Sequence, residues 1–321
     1  MGQKMKKKRV LSLLLAALLC LGLLSACGSA NNGNAGTYTD VGKMTPAPST
    51  DASPAAPLPT ASADTQSDYA YVMDKKTLNI GYTVFAPMNY TDDNGNFTGF
   101  DTEFAQAVCA KLGVTPNFVE INWDTKEVEL AAKTIDCIWN GMTITPDRQE
   151  TMSISTPYAR NAQVLVVRAD SAVTSTADLI GKTVVAEIGS SGESQILGTE
   201  GVTADPDLAQ CNYVGMSKQT DCLVEVKAGT ADAAVLDMTL SKAMVGPGTD
   251  FSDLKIVPNL FLDDQLYGVA FRQGSDLTDK VNAIILELVS DGTLPALAAK
   301  YGLSLAPELL TAASASPSPQ N

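Results

Sequence analysis

Arg148 carries the sharpest chemical signal in the chain. It follows Thr145-Pro146-Asp147, which reads as an N-cap, a proline at the first helical position and an acid in the first turn. A guanidinium there lies against the positive end of the helix dipole, so an anion beside it would make the position favourable. A bound carboxylate is one such anion; Asp147, Glu150 or another surface acid is the alternative. Upstream, Ile135 to Trp139 is short and apolar enough for a buried strand. Cys137 to Arg148 therefore reads as strand, exposed turn and helix start, with Ser155-Thr-Pro-Tyr158 close behind.

Two further stretches could handle charge. Gly189-Ser190-Ser191-Gly192 follows a strand over Thr183 to Ile188, and its amides and hydroxyls at a helix start suit an anion. The plainer reading is an ordinary capping turn. The other is an internal echo: Thr134-Ile-Asp-Cys-Ile-Trp-Asn-Gly-Met-Thr143 matches Thr230-Ala-Asp-Ala-Ala-Val-Leu-Asp-Met-Thr239 at Thr, Asp, Met and Thr in one register. Two lobes built on one unit would produce it. Gly141 and Asp237 then end equivalent strands, one offering a carbonyl and the other a carboxylate.

The elements that must position these residues form a strand–helix alternation. Leu78 to Gly81 is a strand, and a turn at Asp92 to Asn96 leads to a helix whose Phe104, Val108 and Leu112 share a face and which Gly113 stops. Phe118 to Ile121 is the next strand, and Asp124 to Glu127 reads as a capping box for a second helix. This order predicts a parallel sheet, with ligands beyond the carboxyl ends of its strands, where Phe85 and Gly141 to Arg148 fall. Gln163 to Arg168 is a strand leaving this lobe. Ser175 to Asp178 opens a helix, Leu223 to Val226 lies in another that Gly229 ends, and Ala231 to Leu236 is a strand. The chain returns through a strand at Leu266 to Arg272 and helices at Leu277 to Leu288 and Leu294 to Tyr301. Crossings near Arg168 to Asp170 and near Asn259 to Asp264 make a hinge. The expected class is α/β, two lobes, each a mostly parallel sheet flanked by helices and joined by two strands.

Composition removes several kinds of chemistry. There is no histidine among the 321 residues, which excludes His-based triads, proton shuttles and metal sites. Five of the 22 basic residues lie at Lys4 to Arg9, leaving 17 against 36 acids. A chain that acidic offers no face for nucleic acid. No cysteine spacing fits a metal, and nothing calls for a cofactor.

The first residues read as an export signal. Lys4 to Arg9 precede an apolar run from Val10 to Leu24, too short to span a membrane comfortably. The run ends in Leu24-Ser-Ala-Cys27-Gly, which resembles the lipobox of bacterial lipoproteins and implies acylation of Cys27; a plain signal peptide cut near Ala26 or an uncleaved anchor are the alternatives. Gly28 to about Ser67 carries almost no large apolar residue and reads as a flexible tether. The expected layout is a signal over 1–26, a tether over 27–67, the first lobe over 68–167, the second over 168–260, a return to the first over 261–305, and a tail without structure over 306–321.

Taken together, Gly81 to Pro87, Gly95 to Glu103, Trp123-Asp124, Ile135-Asp136, Gly141 to Thr145, Arg148, Thr156 to Tyr158, Gly181-Lys182, Gly189 to Ser191, Asp237 and Tyr267 to Ala270 resemble the polar-amino-acid-binding proteins of ABC importers. The likeness spans about Thr77 to Tyr301. It implies a periplasmic-binding-protein-like fold of type II and a lipid-anchored monomer on the outer face of the cell membrane that delivers an amino acid to a permease. It further implies that Arg148 grips the ligand α-carboxylate with help from Ser191. Asp237, the Thr143 hydroxyl and the Gly141 carbonyl would take the α-ammonium, and Phe85 would lie on the ligand side chain. The segment Gly81 to Pro87 is one residue shorter than the family's usual form, leaving the roles of Tyr82 and Thr83 open.

The expected ligand is neutral polar or cationic, because no cluster of basic residues falls in the cleft segments. Glu187 could touch a cationic or amide side chain but is expected to face solvent; Trp123 and Trp139 are expected in core or rim packing. Cys211 and Cys222 are close enough in sequence to bridge, though free thiols are favoured throughout. Two other functions compete. Exported cyclohexadienyl dehydratases look like the same fold, with Glu187 the one acid to nominate as catalyst, and a sensory lipoprotein could use the same closure.

Overall fold

Phe100, Phe104 and Val108 are buried along one face of a helix, in one core with Leu78, Ile80, Cys137 and Trp139 of neighbouring strands. That pairing builds the first lobe. The structure, a computed structural model, describes residues 67–315. In chain order it contains α1 (Asp68–Lys75), β1 (Thr77–Tyr82), the hairpin β2 (Tyr90–Thr91) and β3 (Phe97–Thr98), α2 (Phe100–Leu112), β4 (Thr115–Glu120), α3 (Lys126–Ala131), β5 (Cys137–Thr143), α4 (Pro146–Thr151), β6 (Met152–Ile154) and β7 (Ala159–Arg168). The second lobe and the return add β8 (Thr183–Glu187), α5 (Ser191–Leu197), β9 (Asn212–Met216), α6 (Gln219–Ala228), β10 (Ala233–Asp237), α7 (Met238–Met244), β11 (Leu254–Arg272), α8 (Leu277–Ser290), α9 (Thr293–Tyr301) and α10 (Pro307–Ala315).

One sheet of nine strands runs through both lobes in the order β4, β1, β5, β11, β7, β10, β8, β9, with β6 beside β11. β1 is parallel to β4 and β5, and β8 is parallel to β9 and β10. β7 and β11 run antiparallel to each other and join the halves. Gln163 to Val167 already pair with β10, while Ala159 pairs with Tyr267, which is bonded on to β5. The first crossing therefore lies at Ala159 to Ala162 rather than near Arg168 to Asp170: the ten-residue β7 keeps its ladder with β11 across both lobes.

The internal echo is a real repeat. Thr134 Oγ1 donates to the Glu129 carbonyl at 2.8 Å, and Thr230 Oγ1 donates to the Glu225 carbonyl at 3.0 Å, the same five residues back. Asp136 accepts the backbone N–H of Asn79 in β1, and Asp232 accepts that of Thr183 in β8. The matched threonine and aspartate thus close a helix and pin a neighbouring strand in each lobe, so Gly141 and Asp237 arrive at equivalent positions at or near the strand ends.

Some expectations shift. β5 is buried from end to end, so no exposed turn separates it from α4. Asn122 rather than Asp124 caps the turn before α3. The tail expected from residue 306 onward is helical through Ala315, because Leu309 is fully buried where α10 packs on α8, and the Ala306 N–H donates to the Tyr158 carbonyl. Residues 316–321, the signal, Cys27 and almost all of the tether lie outside the described residues. Cys109, Cys137, Cys211 and Cys222 are free thiols.

Gly192 sets how closely α5 approaches the sheet. A Cβ there would lie 2.6 Å from the Val235 carbonyl oxygen in β10, an obstacle that cannot rotate away. Gly192→Ala should cost about 1–3 kcal/mol of stability, read as a lower urea midpoint at unchanged slope. A parental midpoint would show that α5 does not abut β10.

Candidate ligand-binding site

The ends of β5, β8 and β10 and the starts of α4 and α5 converge on one cavity between the lobes. Phe85, Gly141, Thr143 and Arg148 line it from the first lobe, Ser191 and Asp237 from the second. Thr83, Trp123, Glu187 and Gln219 complete much of the wall. The volume left is about 20 Å³, room for roughly one water molecule. An amino acid enters only if the lobes separate.

The first-lobe wall is fixed from behind. Asn140 accepts from both the N–H and the hydroxyl of Thr83 and donates to the Thr83 carbonyl and to Asn89, which ties the loop carrying Phe85 to β5. Gly141 has φ +58, and a Cβ on it would meet the Phe85 ring at 2.6 Å, so only glycine lets that ring lie flat on the strand. Its N–H donates to the buried Asp101 carboxylate at 2.6 Å. Tyr82 turns away and packs against Phe97 and Phe118, whereas Thr83 reaches the cavity.

Arg148 is 1% exposed. Its backbone N–H donates to the Thr145 hydroxyl, the N-cap expected of that residue. Nη1 donates to the Thr143 carbonyl and Nη2 to the Gly189 carbonyl, each at 2.9 Å. The anion beside it is Glu200 of the second lobe, with Nη2 donating to Oε1 at 3.0 Å and Nε standing 2.8 Å from Oε2.

Asp237 faces it across the cavity. Its carboxylate accepts from Asn161, from Gln163 at 3.0 Å, from Gln219 and from the Tyr267 hydroxyl at 3.0 Å. Burial still pushes its pKa up, because these donors are all neutral. Gln265 of β11 donates to Ser191 Oγ at 2.6 Å and accepts from Thr143 Oγ1 at 3.2 Å, linking both lobes through the hinge.

Glu187 does not face solvent. It is 4% exposed on the cavity wall, and its carboxyl is pushed up to about 8, first by burial and then by the neighbouring Asp237. β8 ends there, so its last side chain points into the cleft that the strand ends define. Trp123 also lines the cavity rather than serving only as packing, with Lys126 Nζ 5.1 Å and Arg148 Cζ 6.0 Å from its ring. Trp139, by contrast, is core, edge-on to Phe104.

Residues 78–304 match the family described as bacterial extracellular solute-binding proteins, family 3. The chain belongs to that family. It is 28% identical over 228 residues to the arginine-binding extracellular protein ArtP of Bacillus subtilis (strain 168), an alignment covering 71% of this chain and 86% of the relative. It is 31% identical over 238 residues to the L-cystine-binding protein TcyJ of Escherichia coli (strain K12), covering 72% and 84%. Among solved structures, holo ArgBP from T. maritima superposes with a TM-score of 0.62 at 33% identity, covering 73% of this chain and 99% of that one. The fold is the type II, two-lobe arrangement of periplasmic binding proteins.

Within this family-3 chain the six residues expected at the site share one cavity. Sequence reasoning missed Gln219, Gln265, Asn161, Gln163 and Glu200. Polar residues at 161 and 163 interrupt an otherwise buried stretch of β7, a signal that was available, whereas Gln265 follows exposed Asp263 and Asp264 and gave none. Glu200 gave none, since it sits in a surface-like run of Gly, Thr and Glu.

A carboxyl whose pKa rises on folding keeps its proton in the folded chain while the unfolded chain releases it. Stability therefore falls as pH climbs from about 4.5 to about 8, the span between the two pKa values of Glu187. Glu187→Gln removes that contribution. The variant should gain heat stability over its parent between pH 5 and pH 8.5, at roughly 2–4 °C per kcal/mol; an identical difference at both pH values would show that folding leaves Glu187 unperturbed.

Proposed function

We propose that this chain captures an L-amino acid with a cationic side chain between its lobes and delivers it to an ABC permease. The observation that carries the reading is Arg148 and Asp237 facing each other from opposite lobes, with Glu187 buried beside the acid. A zwitterion needs a forked donor for its carboxylate and an acceptor cage for its ammonium. Arg148 with Ser191 supplies the first; Asp237, the Thr143 hydroxyl and the Gly141 carbonyl supply the second. Phe85 and Trp123 give a side chain two aromatic faces, which suit an alkyl stem or a guanidinium, and Glu187 gives its charge a partner. The names of the ArtP and ArgBP relatives support the same choice. Bound ligand bridges the lobes about β7 and β11, and the closed form is what a permease would read.

The anchor belongs to the same reading: acylation at Cys27 would hold a monomer on the outer face of the membrane, with the following residues as tether. Cys27→Ala should move the protein from the membrane fraction to the soluble one, and retention on the membrane would remove the anchor from the reading.

Calorimetric titration of the purified protein, unfolded and refolded to strip carried-over ligand, tests the ligand. Arginine, lysine or ornithine should bind in the micromolar range or tighter, about 8 kcal/mol, and Arg148→Ala should weaken binding roughly a hundredfold or more. Because Glu187 holds a proton up to about pH 8, a cationic ligand should displace it. At pH 7 the binding heat should reveal release of up to one proton per ligand, lost in Glu187→Gln. Tighter binding of a neutral amino acid without proton release would overturn the cationic choice and leave the receptor reading standing.

A protonated carboxyl in the cavity also favours a second reading, a dehydratase with Glu187 as acid. Turnover of prephenate or arogenate would establish it, whereas amino-acid binding with neither turned over would remove it.

A further inference from the structure

Glu200 belongs to the second lobe, in the turn after α5, yet its carboxylate is the anion that Arg148 holds across the cleft. Thr145 at the start of α4 donates its hydroxyl to the same carboxylate at 3.2 Å. The turn is shaped to reach there. Gly198, Glu200 and Gly201 have φ of +69, +57 and +71, and a Cβ on Gly201 would lie 2.7 Å from Pro146 Cβ. A non-glycine residue in the left-handed region is uncommon and is sustained here by contacts with α4.

A guanidinium has five N–H donors. In this chain Nη1 gives one to the Thr143 carbonyl, Nη2 gives both to Gly189 and Glu200, and Nε stands 2.8 Å from Glu200 Oε2 as an ion pair without a hydrogen bond. No two adjacent N–H groups remain for a forked grip on another carboxylate.

We infer that Glu200 is a built-in competitor for the ligand carboxylate: with the lobes together it occupies the fork of Arg148, and it must be displaced when ligand binds. The inference rests on Arg148 being the carboxylate grip. Sharing the fork is disfavoured because two carboxylates against one guanidinium edge repel at short range in a poorly screened site, even with Lys126 nearby. Displacement is easy for Glu200, whose side chain is 19% exposed and whose turn leaves with the second lobe on opening. A competitor of this kind lowers apparent affinity by the fraction of chains it latches. It also keeps the empty protein closed.

Two measurements on Glu200→Gln test this. The substitution keeps length and hydrogen-bonding capacity and removes the charge. The variant should bind the preferred amino acid roughly tenfold tighter, a difference of about 1.4 kcal/mol, and small-angle scattering of the ligand-free protein should give a larger radius of gyration than the parent. Glu120→Gln is the control, since it breaks the rim ion pair with Lys218 at 2.9 Å without touching Arg148. It should leave affinity within about twofold. Unchanged or weaker binding in Glu200→Gln, or an equal gain in Glu120→Gln, would overturn the competitor. Should the parent bind no amino acid at all, the functional reading fails, and scattering alone decides on the latch: an unchanged radius in Glu200→Gln sinks it, and a larger one sustains it.

Discussion

A guanidinium as hidden as that of Arg148 is tolerable only when its charge has an anion beside it and most of its donors are met. Removing such a charge from water costs several kcal/mol, which good geometry and complete hydrogen bonding must offset. Its partners come from both sides of the cleft: Thr143 from β5, Gly189 and Glu200 from the second lobe. Burial of Arg148 and closure of the lobes are therefore one event. Lys126 follows the same rule. Its Nζ donates to the Gly189 carbonyl at 3.0 Å, and burial, then the charge of Arg148, pushes its pKa down to about 8. Two cations converging on one carbonyl are comfortable only with an anion beside them, either Glu200 or a carboxylate that replaces it.

The opposite pole depends on the hinge. Asn161, Gln163 and Gln265 are carboxamides placed where β7 and β11 pass between the lobes, and two of the three donate to Asp237. Neutral donors stabilise a buried carboxylate without cancelling its charge, so Asp237 stays available to a cation. Gln265 also bonds Thr143 on one lobe and Ser191 on the other. Bending the hinge must rearrange these bonds, which couples lobe position to the polarity of the cleft. That both poles stand at matching depth follows from the repeated Thr-x-Asp unit, which puts Gly141 near the end of β5 and Asp237 at the end of β10.

Most of the framework was legible because it is written in short-range patterns. The α2 face, the Thr145-Pro146 helix start and the αL glycines at Gly113 and Gly229 are each decided by neighbours in sequence. The six cleft residues became legible through the family likeness and the internal echo together. What stayed hidden depends on contacts distant in sequence. Arg148 and Glu200 are 52 residues apart, and no local rule joins them. Glu187 looked like a strand-end acid free to face water, and residues distant in sequence, among them Asp237, Gln219 and Lys126, surround it in the cavity. The helical tail was obscured by composition: Pro, Ala, Ser and Thr resemble a linker until Leu309 finds the groove beside α8.

Glu187 and Asp237 finally constrain what the cleft can hold. Two carboxyls share a site from which water is nearly excluded, and mutual repulsion adds to desolvation in keeping one of them protonated. A ligand that brings only an α-ammonium can satisfy one carboxylate, and the second keeps its proton and remains a neutral donor. A ligand that brings an α-ammonium and a cationic side chain satisfies both, replacing the proton by a charge beside the cavity-lining Phe85 and Trp123. The gain is larger for the second ligand because each buried anion then has its own cation. On the proposed reading, selectivity would follow from the number of charges as much as from the shape of the cavity.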